Sequence, residues 1–344
     1  MRLCDALCHQ SFIKLCFHRG MRVFLTLLLC VALPVAAETR IGIGSCFNQA
    51  RDASIWSSIA EEQLDGFLFL GDNLYASRRF SVNRLKNAYD EIDQLIPFQS
   101  LGFIHAVWDD HDYGLNDGGQ YFIHKDYSGF LFREFFSNKS DIEFASTRGT
   151  YHVTVREISG QQVQFIGLDT RSFRSDLTKT PNRNQKGAER YIPSEDPEQS
   201  MLGLDQWAWL EAVLQKPADI RILMSSIQVL AEGHGWERWG NLPLEKQRLK
   251  ALLESRAGGV LLIVSGDRHV GGVYTATIGS EEVIEVTSSG LNMAWTDTDE
   301  YLPNQLGDAI RVDHYAILML DEDGLASVQW KDKQGNLLSE FALR

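Results

Sequence analysis

Cysteine is scarce in this chain of 344 residues and is concentrated at its beginning. Four of the five cysteines lie before residue 31, and the fifth is Cys46. If residues 1–37 are removed on export, Cys46 stands alone, which excludes a disulfide within the mature chain. A single thiol is most simply interpreted as a small buried core residue, but at the end of a strand in an oxidising compartment Cys46 is also a candidate metal ligand.

Positive charge is also in short supply. The formal net charge is -13, and because residues 1–37 contain four basic residues and one acidic residue, residues 38–344 carry about -16. This balance argues against nucleic acid or an anionic membrane as a partner. A protein of this charge that acts on an anionic substrate needs a local source of positive charge, and bound metal ions are an economical one.

Long apolar runs are missing as well, so no transmembrane segment is predicted in the mature chain. The most apolar stretch begins with Met21-Arg22 and ends with Val35-Ala36-Ala37, which is typical of a secretory signal peptide cleaved after Ala37. A lipid anchor on Cys30 is disfavoured, because two leucines precede it where small residues are expected. We therefore expect a leader over 1–37, formed by an upstream extension and a signal peptide from Met21, followed by one domain over 38–344. The mature protein is expected to be periplasmic or secreted.

The rest of the chain alternates apolar strands with amphipathic helices and contains no linker-like segment, which predicts one α/β domain with two sheets facing each other. Asp52 is expected to cap the first helix, and Ser159-Gly160 to join two antiparallel strands. A polar loop over 174–199 is expected to be a lid, a substrate wall or a mobile segment. Strands are predicted at 41–46, 67–70, 103–107, 151–156, 163–168, 220–225, 260–265, 273–277, 282–287, 314–320 and 326–331, and helices at 52–64, 85–95, 129–136, 204–214 and 243–256.

Side chains that bind metals follow several of these strands directly. In α/β proteins, ligands bind outside the carboxyl ends of the strands, so these side chains are expected to meet at one place. Asp72 is a candidate bridge between two ions, and Tyr75 and Cys46 could join it there. Thiolate and phenolate together favour a ferric ion over magnesium or calcium.

A second, oxygen-preferring ion is expected beside the first. Asp110 and Asp267 are candidate ligands for it, and His269 is assigned to the iron side. His111 is placed to protonate a leaving alkoxide. Arg171 is a candidate clamp for phosphoryl oxygens, with a salt bridge to Asp169 as the alternative.

Seven ordered motifs resemble the alkaline phosphatase D (PhoD-like) family of calcineurin-like metallophosphoesterases. The resemblance covers 41 to about 295, and its motifs are Gly44-Ser-Cys46, Gly71-Asp-Asn-Leu-Tyr75, Trp108-Asp-Asp-His-Asp112, Leu168-Asp-Thr-Arg171, Ser225-Ser-Ile-Gln228, Trp239-Gly-Asn-Leu-Pro243 and Ser265-Gly-Asp-Arg-His269. It implies a four-layer αββα sandwich of two mixed sheets between helices, and an Fe3+ ion paired with Ca2+, although other divalent metals remain open. By this resemblance Cys46, Asp72 and Tyr75 are iron ligands, Asp110 and Asp267 are calcium ligands, and Arg171 is a phosphate clamp.

Four further residues are candidates for supporting or substrate-binding roles. Asn73 and Asp109 flank predicted ligands, and Gln228 stands where broader relatives have a metal-binding histidine, so it is expected to hold water or substrate instead. His234 lies in a glycine-flanked loop and is a candidate for lining the pocket.

The sequence thus predicts an exported metal-dependent phosphoesterase in which a metal-held hydroxide attacks a small-molecule phosphate ester, with His111, Arg171 and Asp72 as catalytic residues and phosphomonoesters slightly preferred. A phosphodiesterase that cleaves phospholipid or nucleic-acid-derived diesters uses the same chemistry and is the first alternative. A serine esterase is a second alternative, although Asn73 stands where its serine would be. A non-catalytic phosphate-binding protein is the third.

Overall fold

The computed structural model describes residues 38–76, 80–183, 185–297 and 302–344, so the predicted leader lies outside the described residues. Thirteen strands and six α-helices are defined in these ranges. The strands are β1 Thr39–Gly44, β2 Gly66–Leu70, β3 Phe103–Val107, β4 His152–Ile158, β5 Gln161–Gly167, β6 Ile220–Ser225, β7 Val260–Ser265, β8 Gly271–Ile278, β9 Glu281–Ser288, β10 Gln305–Ile310, β11 His314–Asp321, β12 Gly324–Asp332 and β13 Leu337–Ala342. The helices are α1 Ile55–Glu61, α2 Val82–Leu95, α3 Asp110–Tyr113, α4 Lys125–Ser137, α5 Gly203–Leu214 and α6 Pro243–Glu254.

The strands form two mixed sheets. One has the order β13-β12-β11-β1-β2-β3, and the other has the order β10-β8-β9-β7-β6-β5-β4. Strands β1, β2 and β3 are parallel, as are β5, β6, β7 and β9. Their carboxyl ends therefore lie along one edge of each sheet, and this edge carries the site.

Apolar side chains from both sheets share one core. Leu68 and Val107 of the first sheet belong to the same buried cluster as Phe165, Ile222 and Val264 of the second. Residues of α1, α2 and α4 cover the other face of the first sheet, and residues of α5 and α6 cover that of the second. Because both faces of the central strands are covered, these strands are uniformly apolar. The predicted four-layer αββα sandwich is confirmed.

The structure corrects three details of the prediction. The Asp52 carboxylate accepts hydrogen bonds from the Ser54 backbone N and Oγ, at 3.0 and 2.8 Å, and the helix begins only at Ile55, so Asp52 does not cap it. That helix ends at Glu61 rather than Leu64. The strands β10 and β13 were not predicted, because each lies at the edge of a sheet and carries mostly polar or exposed residues instead of an apolar face. Within the described ranges, no helix has the length and apolarity needed to cross a membrane.

Two buried imidazoles, those of His105 on β3 and His152 on β4, lie with ring centroids 6.1 Å apart. Burial lowers the pKa of His152 to about 4, although a hydrogen bond to Thr150 O opposes this effect. Burial, His152 and Arg156 together lower the pKa of His105. Both histidines are therefore neutral in the folded protein at neutral pH.

We expect this neutrality to make the fold acid-sensitive. In the unfolded chain His152 takes up a proton near pH 6.5, whereas in the folded chain it does so only near pH 4. The free energy of unfolding therefore falls as the pH drops between these two values, by about 3 kcal/mol for His152 alone. Urea unfolding at pH 7 and pH 4.5 should show a smaller acid-induced loss for His152→Gln than for the wild type. Equal losses of stability in the two proteins would contradict the inference that His152 is neutral in the folded protein.

Candidate active site

The candidate ligands at the strand ends share an unusual backbone conformation. Cys46, Asp72, Asp267 and His269 have φ values of 59°, 50°, 65° and 56°, in the left-handed region that residues other than glycine seldom adopt. Gly71, between β2 and Asp72, has a φ of 92°, and a Cβ there would lie 2.6 Å from Asp109 Cβ. The strand ends therefore turn sharply, and such strained turns cluster at functional sites.

Cys46, Asp72, Tyr75 and His269 meet in one group, which we call the cysteine subsite. Asp72 Oδ2 lies 3.6 Å from Cys46 Sγ and accepts a hydrogen bond of 3.1 Å from the Tyr75 hydroxyl. Donor atoms of Cys46, Asp72 and His269 all lie within 4.8 Å of one another. The structure thus brings together the four residues that the sequence assigned to iron.

Asp72 also belongs to a second donor group, with Asp110 and His111. His111 Nε2 lies 3.7 Å from Asp110 Oδ1 and 4.0 Å from Asp72 Oδ2, and its backbone N donates to Asp72 Oδ1 at 3.2 Å. The imidazole stacks on Tyr75, with centroids 3.9 Å apart, and its side chain is 19% exposed. His111 therefore stands at the accessible side of the two groups.

The electrostatics of these groups fit a bound cation. Burial raises the pKa of the Cys46 thiol to about 12, and burial with the charges of Asp110 and Cys46 raises the pKa of Asp72. Burial and the Asp72 charge likewise raise the pKa of Tyr75. Buried Asp110 Oδ1 accepts no hydrogen bond from any described residue. A cation among these donors would favour their anionic forms and bind the Asp110 oxygen that lacks a hydrogen bond.

Asp267, predicted to share the second ion, lies within the electrostatic reach of the same acids. Burial, followed by the charges of Asp109, Glu237 and Asp110, raises its pKa. Among the described residues, however, Asp110 shares close donor groups with Asp72 and His111 and with Asp117 and Glu237, and Asp267 is in neither group. The structure does not bring Asp267 into that close group.

Arg171 has different partners from those predicted. Its Nε donates to Asp109 Oδ1 at 2.6 Å, and its Nη1 lies 2.8 Å from Glu237 Oε2, while Asp169 contacts only its backbone N. The guanidinium is fully buried. The alternative of a salt bridge to Asp169 is therefore wrong, and the guanidinium neutralises buried carboxylates beside the site instead.

Gln228 and His234 bond to each other rather than to the ligand groups. His234 Nε2 lies 3.0 Å from Gln228 Oε1, and the Gln228 amide donates to Thr287 Oγ1 at 3.0 Å. His234 Nδ1 accepts from Trp236 N, and both side chains are completely buried. The role of His234 in lining the pocket stays a prediction, and in this structure its imidazole is buried against Gln228.

Asn73 and Asp109 lie where supporting residues were expected. Asp112 accepts hydrogen bonds from both of their backbone N atoms, at 3.0 and 2.9 Å, and so ties the turn after β2 to the start of α3. Asn73 Nδ2 donates to Val107 O, while its buried Oδ1 accepts no bond from the described residues. Asp109 is held by Arg171 and Ser226.

Sequence reasoning missed the segment 289–295, which supports the cysteine subsite. Ser289 Oγ accepts from His269 N at 2.7 Å and lies 3.1 Å from Cys46 Sγ. Met293 O lies 2.6 Å from His269 Nδ1, which leaves Nε2 for a metal, and Trp295 stacks on the imidazole with centroids 4.8 Å apart. Ser289 directly follows β9. The expectation that polar residues directly after a strand meet at the carboxyl ends of the sheet therefore applies to Ser289 as well.

Replacing Ser289 with Ala should weaken metal binding about 10- to 100-fold, because partners that orient metal ligands typically have effects of this size. A hydroxyl has one proton, and since Ser289 Oγ accepts from His269 N, that proton is free to point at the sulfur. Metal affinity would be measured by competition with a chromogenic chelator. Ser288→Ala is the matched control, because Ser288 Oγ donates to Ile43 O instead. Equal metal affinities in the two variants would contradict the role of Ser289 in orienting the metal ligands.

Family comparison agrees with this geometry. The model of the family described as PhoD-like phosphatase matches residues 141–336, more than half of the chain. The chain belongs to the PhoD-like phosphatase family. As a member of this family, the protein is a metal-dependent phosphoesterase that acts on small-molecule phosphate esters.

Solved structures show where this PhoD-like chain lies among known folds. A structure of PhoD is similar with a TM-score of 0.66 at 14% identity, over 90% of this chain and 69% of that one. Purple acid phosphatase PPD1 from yellow lupin (Lupinus luteus) seeds has a TM-score of 0.55 at 11% identity, over 89% of this chain and 53% of the lupin chain. At these identities the similarity establishes the fold alone. Among curated proteins, no sequence matches this chain.

Proposed function

We propose that the enzyme is exported and hydrolyses phosphate esters, with monoesters slightly preferred, at an Fe3+ and Ca2+ pair that shares Asp72. The observation that carries this proposal is the position of Asp72 in two donor groups at once. One group offers thiolate, phenolate and imidazole, which suit Fe3+, and the other offers carboxylates, which suit Ca2+.

Each ion would have its own ligands. Cys46, Tyr75 and His269, together with Asp72, would hold the iron. Asp72 and Asp110 would hold the calcium, with Asp267, which lies outside their close group, as the third proposed ligand. When bound, such ions polarise the phosphoryl group and make a water molecule nucleophilic at neutral pH. His111, at the accessible side of both groups, would donate a proton from Nε2 to the departing oxygen.

The clamp role of Arg171 stays a prediction. Its guanidinium already bonds Asp109 and Glu237 in a fully buried position. In this arrangement it stabilises the closely spaced carboxylates, and it would contact a phosphoryl oxygen only through the donors left over from those pairs.

The diesterase alternative uses the same ligands and differs only in the walls around them. The serine-esterase alternative is less well supported, because Asn73 stands in place of the nucleophile and its amide donates to Val107 O. The binding-protein alternative predicts tight phosphate binding without turnover.

Initial rates of the purified protein, loaded with Fe3+ and Ca2+, on p-nitrophenyl phosphate and bis(p-nitrophenyl) phosphate would test the proposal. Turnover that chelation removes and added metal restores is expected, and the ratio of the two rates assigns the substrate class. Bound metal with no turnover of either ester would refute it. Export would be tested by N-terminal sequencing of the secreted or periplasmic protein, where Glu38 is the expected first residue.

A further inference from the structure

A cleft of about 610 Å³ is lined by Asp117, which forms a further group of acidic donors with Asp110 and Glu237. Its volume lies within the range of about 300–1,000 Å³ that is usual for small-molecule sites. Residues within 115–122 provide one wall, and residues within 176–183 together with 190–191 provide the other. The second wall belongs to the long loop whose role the sequence left open.

Two residues in one wall of the cleft are hydrogen-bonded to residues of the site. Asp117 lines it, and the Asp117 backbone N donates to Asp110 Oδ2 at 2.6 Å. Gly118 also lines it, and Gly118 O accepts from Arg171 and Arg174 at 3.4 and 2.9 Å. The wall of the cleft is thus in contact with Asp110, and the substrate considered below would place its phosphate at Asp110 and His111 and the rest of its structure in this cleft.

The charges along the cleft are unusual for so acidic a protein. Three cations, Lys179, Arg183 and Arg190, line it together with two acids, Asp117 and Asp176. Arg190 pairs with Asp117 at 2.6 Å, so that both charges are neutralised within the protein. Lys179 and Arg183 are exposed, and no carboxylate of the described residues forms an ion pair with either of them. The cleft thus presents two free cations against one acid.

Apolar groups line the same space. Leu115 and Phe122 on one wall and Leu177 and Tyr191 on the other offer carbon surface, and Tyr121 is 72% exposed at the same cleft. A ligand that matches this lining has a carbon skeleton and, at a distance from its reacting phosphate, a negative group.

We propose that this cleft is a specificity subsite and that the enzyme prefers phosphate esters carrying a second anionic group, which Lys179 and Arg183 bind. The inference rests on the proposed function, because it concerns the part of the substrate that does not react. Two partly solvated ion pairs should favour such an ester about tenfold in kcat/KM. The gain should lie in KM, because the contacts are the same before and during the reaction.

The test uses alkyl phosphates whose chains end in a methyl, a carboxylate or a trimethylammonium group. Each would be offered as a monoester and as a p-nitrophenyl diester, with release of phosphate or nitrophenol measured. The expected order of kcat/KM is carboxylate, then methyl, then trimethylammonium, and the spread should shrink as salt is added. The double variant Lys179→Gln/Arg183→Gln should lose the preference while its kcat on the methyl ester stays unchanged. Lys216→Gln, an exposed cation on another surface, is the matched control.

The outcomes separate the two proposals. Equal kcat/KM values for the methyl and carboxylate esters, or a preference that survives in the double variant, would overturn the subsite and leave the phosphoesterase assignment intact. Failure of the wild type to cleave any of the esters would overturn the proposed function, and the subsite with it.

Discussion

Asp72→Asn should lower kcat for monoesters and diesters alike, on the order of 10³-fold or more. Asp72 Oδ2 faces Cys46 and Tyr75, and Asp72 Oδ1 accepts from the His111 backbone, so one carboxylate joins the two donor groups. An amide cannot bridge two cations with two anionic oxygens. Loss of the several kcal/mol that a metal pair contributes to the transition state gives an effect of this size.

Asparagine is the informative substitution because of the backbone at this position. The φ of 50° is one that Asn tolerates well, so the variant removes charge with little added strain, whereas Asp72→Ala would change both. Metal content by elemental analysis, thermal melting and kcat would be measured together, with Asp90→Asn on the exposed face of α2 as control. A variant that binds both metals and keeps more than about a tenth of wild-type kcat would contradict the bridging role.

The regular alternation of the sequence predicted most of the fold, and its strand ends predicted which donor side chains lie close together. The physical reason is that parallel strands place their carboxyl ends on one edge, so Cys46, Asp72 and Asp110 had to converge once β1, β2 and β3 were parallel neighbours. The edge strands β10 and β13 were not predicted, because a strand at the edge of a sheet can lack the apolar face on which the prediction relied.

Pairing between distant polar groups could not be predicted from spacing. Arg171 has Asp169 as its nearest acid in the chain, yet its guanidinium bonds Asp109 and Glu237, 62 and 66 residues away. Ser289 reaches Cys46 across 243 residues. Nothing local in the sequence selects one carboxylate or hydroxyl over another, because the choice depends on how two sheets and their loops pack.

His111→Asn should reduce kcat by 10² to 10⁴ on an alkyl phosphate but by less than about tenfold on p-nitrophenyl phosphate. An alkoxide is a poor leaving group and needs a proton as the bond breaks, whereas p-nitrophenolate leaves without one. The structure favours this role because His111 Nε2 lies beside Asp110 and Asp72 on the exposed side of the site.

The dependence on leaving group separates proton donation from other roles of the same imidazole. If His111 only oriented Asp72 or bound the phosphate, both esters would lose rate equally. Plots of log kcat against the leaving-group pKa should be steeper for the variant than for the wild type, because proton transfer in the wild type offsets charge on the departing oxygen. His124→Asn, an exposed histidine stacked on Phe80, is the control and should follow the wild type. Parallel plots for the wild type and His111→Asn would assign the proton to water and leave His111 as a residue that positions Asp72.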